Sequence, residues 1–426
     1  MMSSVVFMDK KLFLHIIDES QKLINDFSFL ERSRILPKFF TRNRKMSFVT
    51  IIGCLLNFMK KALSLEILNF HELIGCKGFS MSKQAFSKAR QHIKPEAFKE
   101  LLQLTTKSYL NSNQVKRLKG YRIFSIDGTE LEIEPTKDNL EYFGHRGSAE
   151  KACRARCSVM CEVFDGILID ATLASTSTSE RQLAKGHINN FIQYANKKDL
   201  IIFDRGYPSK EFIKSFYDKD LKFLMRLQKS FNSQIDTCPK SDFYIEMQHE
   251  KKSFNVRVIK FVLESGEEEI LITNLGRKTF KMKDFKDLYF LRWSVETKYN
   301  TIKNVMQIEQ FTGRTRVSIE QDFYATMYLT NLVSIAKKES DNRIKKDIDK
   351  RNLNCKYKTN EKMLIGLLKD KLILMLLCPN PHQRSQIFES IIENATRYKT
   401  QIRPNRHFDR PKDAHHRRKI RRKSVL

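Results

Sequence analysis

The feature that most constrains the fold is a change of hydrophobic pattern at Tyr121. Before this residue the apolar positions follow helical spacing, whereas residues 122–134, 156–164 and 166–173 alternate apolar with polar side chains. Alternation with a period of two is typical of half-buried strands, and Asp165-Gly166 is a hairpin signal between the last two segments. The sequence therefore predicts three antiparallel strands that follow a helical region.

The segments after these strands predict an α/β domain. A helix ending near residue 196 is expected first, then a short, fully apolar strand at 200–203 and a helix over 209–218. Four further strands are expected at 223–227, 243–247, 254–263 and 269–273, followed by helices over 284–306 and 319–336. This order is the one expected of a ribonuclease-H-like α/β core with a β-rich insertion at about 222–282.

The charge of the chain indicates a polyanionic partner. Lysine and arginine outnumber aspartate and glutamate by 78 to 49, which gives a formal net charge of +29. Self-repulsion on this scale is relieved by binding a polyanion. Nucleic acid is favoured over an anionic membrane surface because the basic residues are spread along the chain, and no apolar run approaches the ~20 residues that cross a bilayer.

The N-terminal region is predicted to be a helical domain. Apolar residues form a stripe (Phe13, Ile16, Ile17 and Ile24), and further helices are expected over 46–60, 81–91 and 95–110. Basic residues lie between or along these helices (Arg42, Arg44 and Lys45; Lys83, Lys88 and Arg90). Each cluster alone is typical of a solvated face, but together they indicate DNA binding.

These observations predict three domains. They are a helical DNA-binding domain at 1–115, an α/β domain at 116–340, and a helical C-terminal segment with a basic tail at 341–426. The last 26 residues are rich in lysine and arginine, and we expect them to become ordered only on a polyanion.

Cysteine usage and the N-terminus indicate a reducing compartment. Eight cysteines are scattered without a paired framework, and charged residues interrupt the N-terminal apolar positions, so a cytoplasmic protein is expected. Cys153, Cys157 and Cys161 recur every four residues, which raises the possibility of a zinc site. They lack a tight C-x2-C pair and a fourth ligand, so buried strand cysteines are the favoured interpretation.

Two aspartates stand where predicted strands present side chains. Asp127 follows the strand residues 123–126 and precedes Gly128, and Asp204 ends the apolar strand 200–203. Carboxylates in such positions can hold Mg²⁺ or Mn²⁺, and two such cations serve phosphodiester chemistry. Either aspartate taken alone can equally be a turn former.

The helix predicted over 284–306 carries a third acid among polar partners. Tyr289, Arg292, Glu296 and Lys303 are spaced by 3, 4 and 7 residues, which places them within about a 60° stripe of a helix. The Arg292 and Glu296 pair alone could be an ordinary surface ion pair.

At this point the sequence resembles the DDE transposases of the insertion sequence 4 group. Their signature, Y-x2-R-x3-E-x6-K, is complete from Tyr289 through Arg292 and Glu296 to Lys303. The family's two aspartates lie in D-G-T and D-R-G-Y-like contexts, as Asp127 and Asp204 do here. Residues 309–315 and 321–325 also resemble family sequence, so the resemblance covers roughly residues 40 to 335.

The resemblance implies a catalytic site and a reaction. Asp127, Asp204 and Glu296 would bind two Mg²⁺ or Mn²⁺ ions, and Tyr289, Arg292 and Lys303 would grip DNA phosphates near the transposon end. In relatives a tryptophan of the β insertion stacks on a flipped base; here the single tryptophan, Trp293, lies inside the signature, and helix packing is its favoured interpretation.

Cut-and-paste transposition with a hairpin step is the reaction that the family implies. The partners would be double-stranded DNA, as terminal repeats and as target, and a second copy of the chain on that DNA, in a bacterial cytoplasm at the nucleoid. The alternatives are a metal-dependent nuclease that does not join strands, a non-catalytic DNA-binding relic of a transposase, and a membrane-surface protein.

Overall fold

The computed structural model describes residues 6–42, 46–57, 60–75, 81–145, 152–263, 266–351 and 355–403. Some sequence-based assignments lie outside these ranges: Arg44 and Lys45 of the first basic cluster, residues 58–59 of a predicted helix, and residues 404–426 of the basic tail. The chain divides into two compact units, one of Tyr109–Thr301 and one of Met1–Ser108 with Ile302–Leu426. The division into three domains remains a prediction.

The described helices are, in chain order, α1 Val6–Asn25, α2 Phe27–Ser33, α3 Phe48–Leu55, α4 Leu63–Leu73, α5 Lys83–Arg90, α6 Glu96–Asn111, α7 Lys137–Phe143, α8 Glu180–Phe191, α9 Lys210–Asp218, α10 Ser233–Thr237, α11 Asp284–Phe290, α12 Trp293–Asn300, α13 Arg316–Arg351, α14 Glu361–Leu368, α15 Lys371–Leu377 and α16 Pro381–Arg397. A 3-10 turn covers Ile192–Tyr194, and a π-helical turn covers Thr301–Val305. No helix in this described part of the chain is long and apolar enough to span a membrane.

The described strands are β1 Arg122–Ile133, β2 Cys153–Glu162, β3 Leu168–Ser175, β4 Asp199–Phe203, β5 Lys222–Arg226, β6 Asp242–His249, β7 Lys252–Val262, β8 Glu268–Thr273, β9 Tyr357–Thr359 and β10 Lys399–Gln401. The first eight form one sheet in the order β3-β2-β1-β4-β5-β8-β7-β6. The fold is therefore a mixed α/β fold with a large central sheet.

The pairing of the strands confirms the predicted meander. β1 pairs antiparallel with β2, and β2 pairs antiparallel with β3. β4 is parallel to both β1 and β5, and β8, β7 and β6 continue the sheet with antiparallel pairs. Cys153, Cys157 and Cys161 all lie on β2 and are fully buried, so the strand interpretation of these residues is confirmed.

Strand β4 is central because its sequence is apolar on both faces. All five of its residues are buried, as expected of a parallel strand covered on both sides. Its one charged residue, Asp199, accepts two hydrogen bonds from Arg122, from Nε at 2.7 Å and from Nη2 at 2.6 Å. Because Arg122 and Asp199 are partners in the β1–β4 register, this buried ion pair fixes the register of the two strands.

Helix α11 lies on the sheet through an apolar face. Phe285, Leu288 and Tyr289 belong to one buried cluster with strand residues that include Leu200 and Ile202. The spacing of 3 and 1 places these three side chains on one side of the helix. Packing on the sheet thus brings Tyr289, the first residue of the signature, to the end of β4.

The single helix predicted over 284–306 is wrong in detail, because the chain breaks it twice. α11 ends at Phe290, α12 begins at Trp293, and a π-helical turn follows α12. At the first break the Arg292 N–H bonds to the Tyr289 carbonyl at 3.0 Å, three residues back instead of four. This is the bonding of a 3-10 turn, and it tightens the chain between the two halves of the signature. The later helix α13, at 36 residues, extends well beyond the predicted 319–336.

The helical unit joins both ends of the described chain. The Phe13 ring of α1 stacks on Phe388 of α16 with centroids 4.2 Å apart, and the Tyr328 hydroxyl of α13 donates to Ser20 Oγ at 2.9 Å. Helices from the N-terminal and C-terminal regions therefore share one core.

One basic residue of the predicted DNA-binding face is buried instead. Arg90 is 1% exposed and donates to Gln321 Oε1 at 2.8 Å, to the Ser318 carbonyl at 3.0 Å and to Asp322 Oδ1 at 2.7 Å. The prediction that Arg90 belongs to a basic surface is wrong, because these three acceptors on α13 compensate its charge inside the protein. Lys83 and Lys88 of the same helix are exposed.

Candidate active site

The β1–β4 register brings the two aspartates together. The two strands pair in parallel up to Ser125 opposite Ile202. Asp127, on β1, and Asp204, directly after the last residue of β4, each lie two residues beyond this last pair, so the two aspartates come to the same end of neighbouring strands, which are about 4.8 Å apart. A step of two residues also keeps their side chains on the same face as Ser125 and Ile202.

Helices α11 and α12 supply the contacts to these acids. Tyr289 Oη donates to Asp204 Oδ1 at 3.1 Å. Arg292 donates from Nη2 to Glu296 Oε1 at 2.8 Å, while its Nη1 lies 4.0 Å from Asp127 Oδ2. The structure thus brings five of the six residues singled out in the sequence into one cluster.

The sixth residue, Lys303, lies in the π-helical turn that follows α12. A π-helical turn departs from regular α-helical spacing, and such turns are frequent at functional sites. The prediction that Lys303 lies on the same stripe of one unbroken helix is therefore wrong.

The aromatic ring of Trp293 is not packed inside the fold. The residue is 43% exposed, and the Arg292 guanidinium lies 5.1 Å from its ring centroid. The interpretation of Trp293 as a helix-packing residue is wrong, because Val295 and Tyr299 supply the buried face of α12.

Burial and neighbouring charge shape the titration of Asp127. Its pKa is raised from 3.8 to about 6, chiefly by burial and also by the carboxylates of Glu296 and Glu180. The Gly128 N–H, which donates to Asp127 Oδ1 at 2.9 Å, and the Arg292 guanidinium oppose this rise. A carboxyl group whose pKa is raised by other carboxylates lies where a cation would be stabilised.

A buried hydrogen-bond network holds the backbone at Asp127. Its carbonyl oxygen accepts from Tyr299 Oη at 2.6 Å and from Ser158 Oγ at 3.3 Å. Ser158 Oγ is also hydrogen bonded with His187 Nε2 at 3.0 Å, and His187 Nδ1 with Asp170 Oδ2 at 2.8 Å. The set resembles a hydrolase triad in composition, but His187 and Ser158 are fully buried, so it acts as a support for β1.

The donor set at this cluster fits hard divalent cations. Asp127, Asp204 and Glu296 offer carboxylate oxygens, the ligands that Mg²⁺ and Mn²⁺ prefer. Within the described ranges, no three metal-binding side chains are already arranged to hold a metal ion. Arg292 pairs with Glu296 and lies near Asp127. Two buried polar atoms here, Tyr207 Oη and Arg292 Nε, have no hydrogen-bond partner within the described residues. Unpartnered buried polar atoms beside acids are consistent with a site that binds a further charged group.

Three residues of this cluster were not predicted from the sequence: Glu180, Tyr207 and Tyr299. The Glu180 carboxylate contributes to the raised pKa of Asp127, and the neighbouring carboxylates contribute to the raised pKa of Tyr207. Tyr299 bonds to the Asp127 backbone. Their only sequence signals are an acid after the helix cap Ser179 and two aromatic residues next to the motifs. Such signals are common in helices and turns without function.

Comparison with known proteins agrees with the motifs. The Transposase DDE domain family matches residues 118–332. The transposase InsG of the insertion sequence element IS4 from Escherichia coli (strain K12) is 22% identical over 314 residues, which cover 68% of this chain and 70% of that protein. A cryo-EM structure of the piggyBac transposase synaptic complex with hairpin DNA aligns over 91% of this chain and 85% of that chain, with a TM-score of 0.46 and 11% identity. The family match covers half of the chain and includes the cluster around Asp127, and the chain therefore belongs to the Transposase DDE domain family as a DNA transposase of the insertion sequence 4 group.

Proposed function

We propose that this transposase moves its element by a cut-and-paste reaction at Asp127, Asp204 and Glu296. The observation that carries the proposal is the convergence of the three acids. Asp127 lies on β1 two residues after the last residue that pairs with β4, Asp204 directly follows β4, and Arg292 bonds to Glu296 and lies 4.0 Å from Asp127. The fold around them is proposed to be ribonuclease-H-like, which is supported by the strand order β3-β2-β1-β4-β5 with β1, β4 and β5 parallel.

The three carboxylates are the proposed ligands of two Mg²⁺ or Mn²⁺ ions. Two such ions, when bound, activate the attacking oxygen and stabilise the leaving oxygen of a phosphodiester. The protein contributes position: Tyr289 orients Asp204 by its hydrogen bond, and the network through Tyr299 and Ser158 holds the backbone of Asp127. Arg292 neutralises Glu296 and brings positive charge to the place where a scissile phosphate would lie.

The proposed reaction has four steps on DNA. Water hydrolyses one strand at each element end and leaves a 3′-hydroxyl. This hydroxyl attacks the opposite strand, which forms a hairpin on the element end and releases the flanking DNA. The hairpin is reopened by water, and the 3′-hydroxyl then attacks a target phosphodiester and joins the element to new DNA.

DNA contact is proposed for three signature residues and for the helical region. Tyr289, Arg292 and Lys303 would contact phosphates near the element end, and the helical segment 1–115 would bind DNA through exposed lysines such as Lys83 and Lys88. The net charge of +29 supports an extended phosphate contact. Because two ends must be held together, a homodimer on DNA is expected, with 341–426 as its contact. The expected location is the bacterial cytoplasm at the nucleoid.

The test is an in vitro reaction on DNA that carries the element's own ends and a target plasmid. The wild type, Glu296→Gln and the control Glu141→Gln would each be incubated with Mg²⁺ or with EDTA. Glu141 is an exposed carboxylate of α7 whose ion-pair partner is 4.0 Å away. Its replacement by glutamine removes one negative charge, as Glu296→Gln does. We expect Mg²⁺-dependent cleavage and joining by the wild type and by Glu141→Gln, and DNA binding without cleavage by Glu296→Gln.

Other products would identify the competing functions. Cleaved ends without joined target would indicate a nuclease that does not transfer strands. DNA binding by all three proteins with no cleavage would indicate a DNA-binding relic. Cleavage by Glu296→Gln at the wild-type rate would remove Glu296 from the active site.

A further inference from the structure

A helix outside the signature begins at the active site. α8 starts at Glu180 after its cap Ser179, whose side chain accepts from the Gln182 N–H at 3.1 Å. The next residue, Arg181, donates to the carbonyls of Tyr207 at 2.8 Å and Pro208 at 3.2 Å. The start of α8 is therefore fastened to the segment that follows Asp204.

The Glu180 carboxylate lies against the two glycines of the aspartate motifs. A Cβ atom added at Gly128 would stand 3.2 Å from Glu180 Oε1, and one added at Gly206 would stand 3.8 Å from Glu180 Oε2. Gly128 follows Asp127 directly, and Gly206 is two residues after Asp204. The missing side chain at Gly128 leaves room for Glu180 beside Asp127, and the contact at Gly206 places the same carboxylate close to the segment after Asp204.

An unpartnered hydroxyl lies among the same carboxylates. Tyr207 is 1% exposed, and its Oη has no hydrogen-bond partner within the described residues. Burial, and then the charges of Asp127, Glu180 and Asp204, raise the pKa of Tyr207 well above 10. The Tyr207 hydroxyl thus lies near three carboxylates and bonds to none of them. This indicates that a bound species supplies its hydrogen-bond partner.

The charges favour a cationic species. Asp127, Asp204, Glu296 and Glu180 together carry four negative charges, and Arg292 is the cation that pairs with Glu296 among them. Carboxylates held this close repel one another, and a bound cation relieves that repulsion. With Arg292 counted, the three carboxylates of the motifs carry two net negative charges, and Glu180 adds a third with which the site can hold divalent cations.

We propose that Glu180 is a fourth carboxylate of the metal site and contributes to holding one of its divalent cations beside the unpartnered Tyr207 hydroxyl. The inference rests on the proposed function of Asp127, Asp204 and Glu296 as metal ligands. It adds a residue from the sheet-covering helix α8 to a set that the aspartate motifs and the signature otherwise supply.

The experiment measures Mn²⁺ binding by the full-length, metal-free protein in the absence of DNA. Each protein would be titrated with Mn²⁺, and electron paramagnetic resonance would measure the free ion. The proteins are the wild type, Glu180→Gln, Glu180→Asp, Glu296→Gln and the control Glu141→Gln. We expect Glu180→Gln to bind Mn²⁺ roughly 10–100-fold more weakly than the wild type, as for other residues that support a metal site. Glu180→Asp, which keeps the charge but shortens its reach, should fall between them, and Glu141→Gln should bind as the wild type does.

The variants separate failure of this inference from failure of the proposed function. If Glu296→Gln binds weakly but both Glu180 variants bind as the wild type does, Glu180 is not part of the metal site. If Glu296→Gln also binds as the wild type does, the metal site itself is wrongly assigned. Circular dichroism checks that each variant is folded, and Glu180→Asp decides the question if Glu180→Gln does not fold.

Discussion

Replacing Asp127 with asparagine should stabilise the metal-free protein at neutral pH. The pKa of Asp127 is raised in the folded state, so the folded protein binds this proton more tightly than the unfolded chain does. The stability that this carboxyl group contributes is complete below about pH 4 and is lost as the pH rises through about 6. The rise from 3.8 to about 6, at about 1.36 kcal/mol for each pKa unit, corresponds to about 3 kcal/mol. Asparagine, like the protonated acid, carries no charge, so the variant does not lose this stability as the pH rises.

The assay is urea unfolding in EDTA at several pH values, followed by tryptophan fluorescence. Trp293 is the single tryptophan of the chain and lies on α12, so its emission reports on the sheet-bearing unit. The two proteins should have similar free energies of unfolding near pH 4, and the variant should be more stable by up to about 3 kcal/mol at pH 8. Glu162, whose pKa burial raises to about 7, is present in both proteins and cancels in the difference. A difference that stays constant with pH, or that favours the wild type at pH 8, would show that ionisation of Asp127 does not destabilise the folded protein.

Three further outcomes are expected. Asp199→Asn should lower the free energy of unfolding by about 3–5 kcal/mol in urea titrations, because it leaves the buried charge of Arg122 without its partner; an unchanged midpoint would contradict this. Lys303→Ala should lower the slope of log affinity for DNA against log salt by about one, as measured by fluorescence anisotropy, if Lys303 meets one phosphate; an equal slope would exclude that contact. Tyr299→Phe removes a 2.6 Å hydrogen bond to the Asp127 carbonyl and should lower the free energy of unfolding by about 0.5–1.5 kcal/mol and slow cleavage with little change in DNA affinity. Wild-type cleavage by Tyr299→Phe would show that this bond does not position Asp127.

The parts of the fold that sequence reasoning predicted are those with local causes. The alternation around Asp127 and the apolar run before Asp204 follow from which faces of β1 and β4 are buried, so their positions can be inferred without the rest of the chain. The spacing of four residues between Arg292 and Glu296 also predicted their contact, which the hydrogen bond between them confirms.

The parts that could not be predicted depend on contacts distant in sequence. The break between α11 and α12 has no proline or glycine to mark it; it accompanies the packing of Tyr289 on the sheet and the turn at Arg292. Arg90 looked like a surface charge because its acceptors on α13 are more than two hundred residues away. Glu180 comes to the acids only because Arg181 fastens α8 to the segment after Asp204, a contact that leaves no pattern in the sequence.

Asp127, Asp204 and Glu296 are proposed to hold the cations of the reaction together. The most direct measurement is anomalous diffraction from Mn²⁺ in crystals of the protein with an oligonucleotide of its element end. We expect two Mn²⁺ peaks about 3.5–4 Å apart, with carboxylate oxygens of all three residues in contact with them. Peaks bound by other residues, or none beside Asp127 and Asp204 at saturating Mn²⁺, would contradict this proposal.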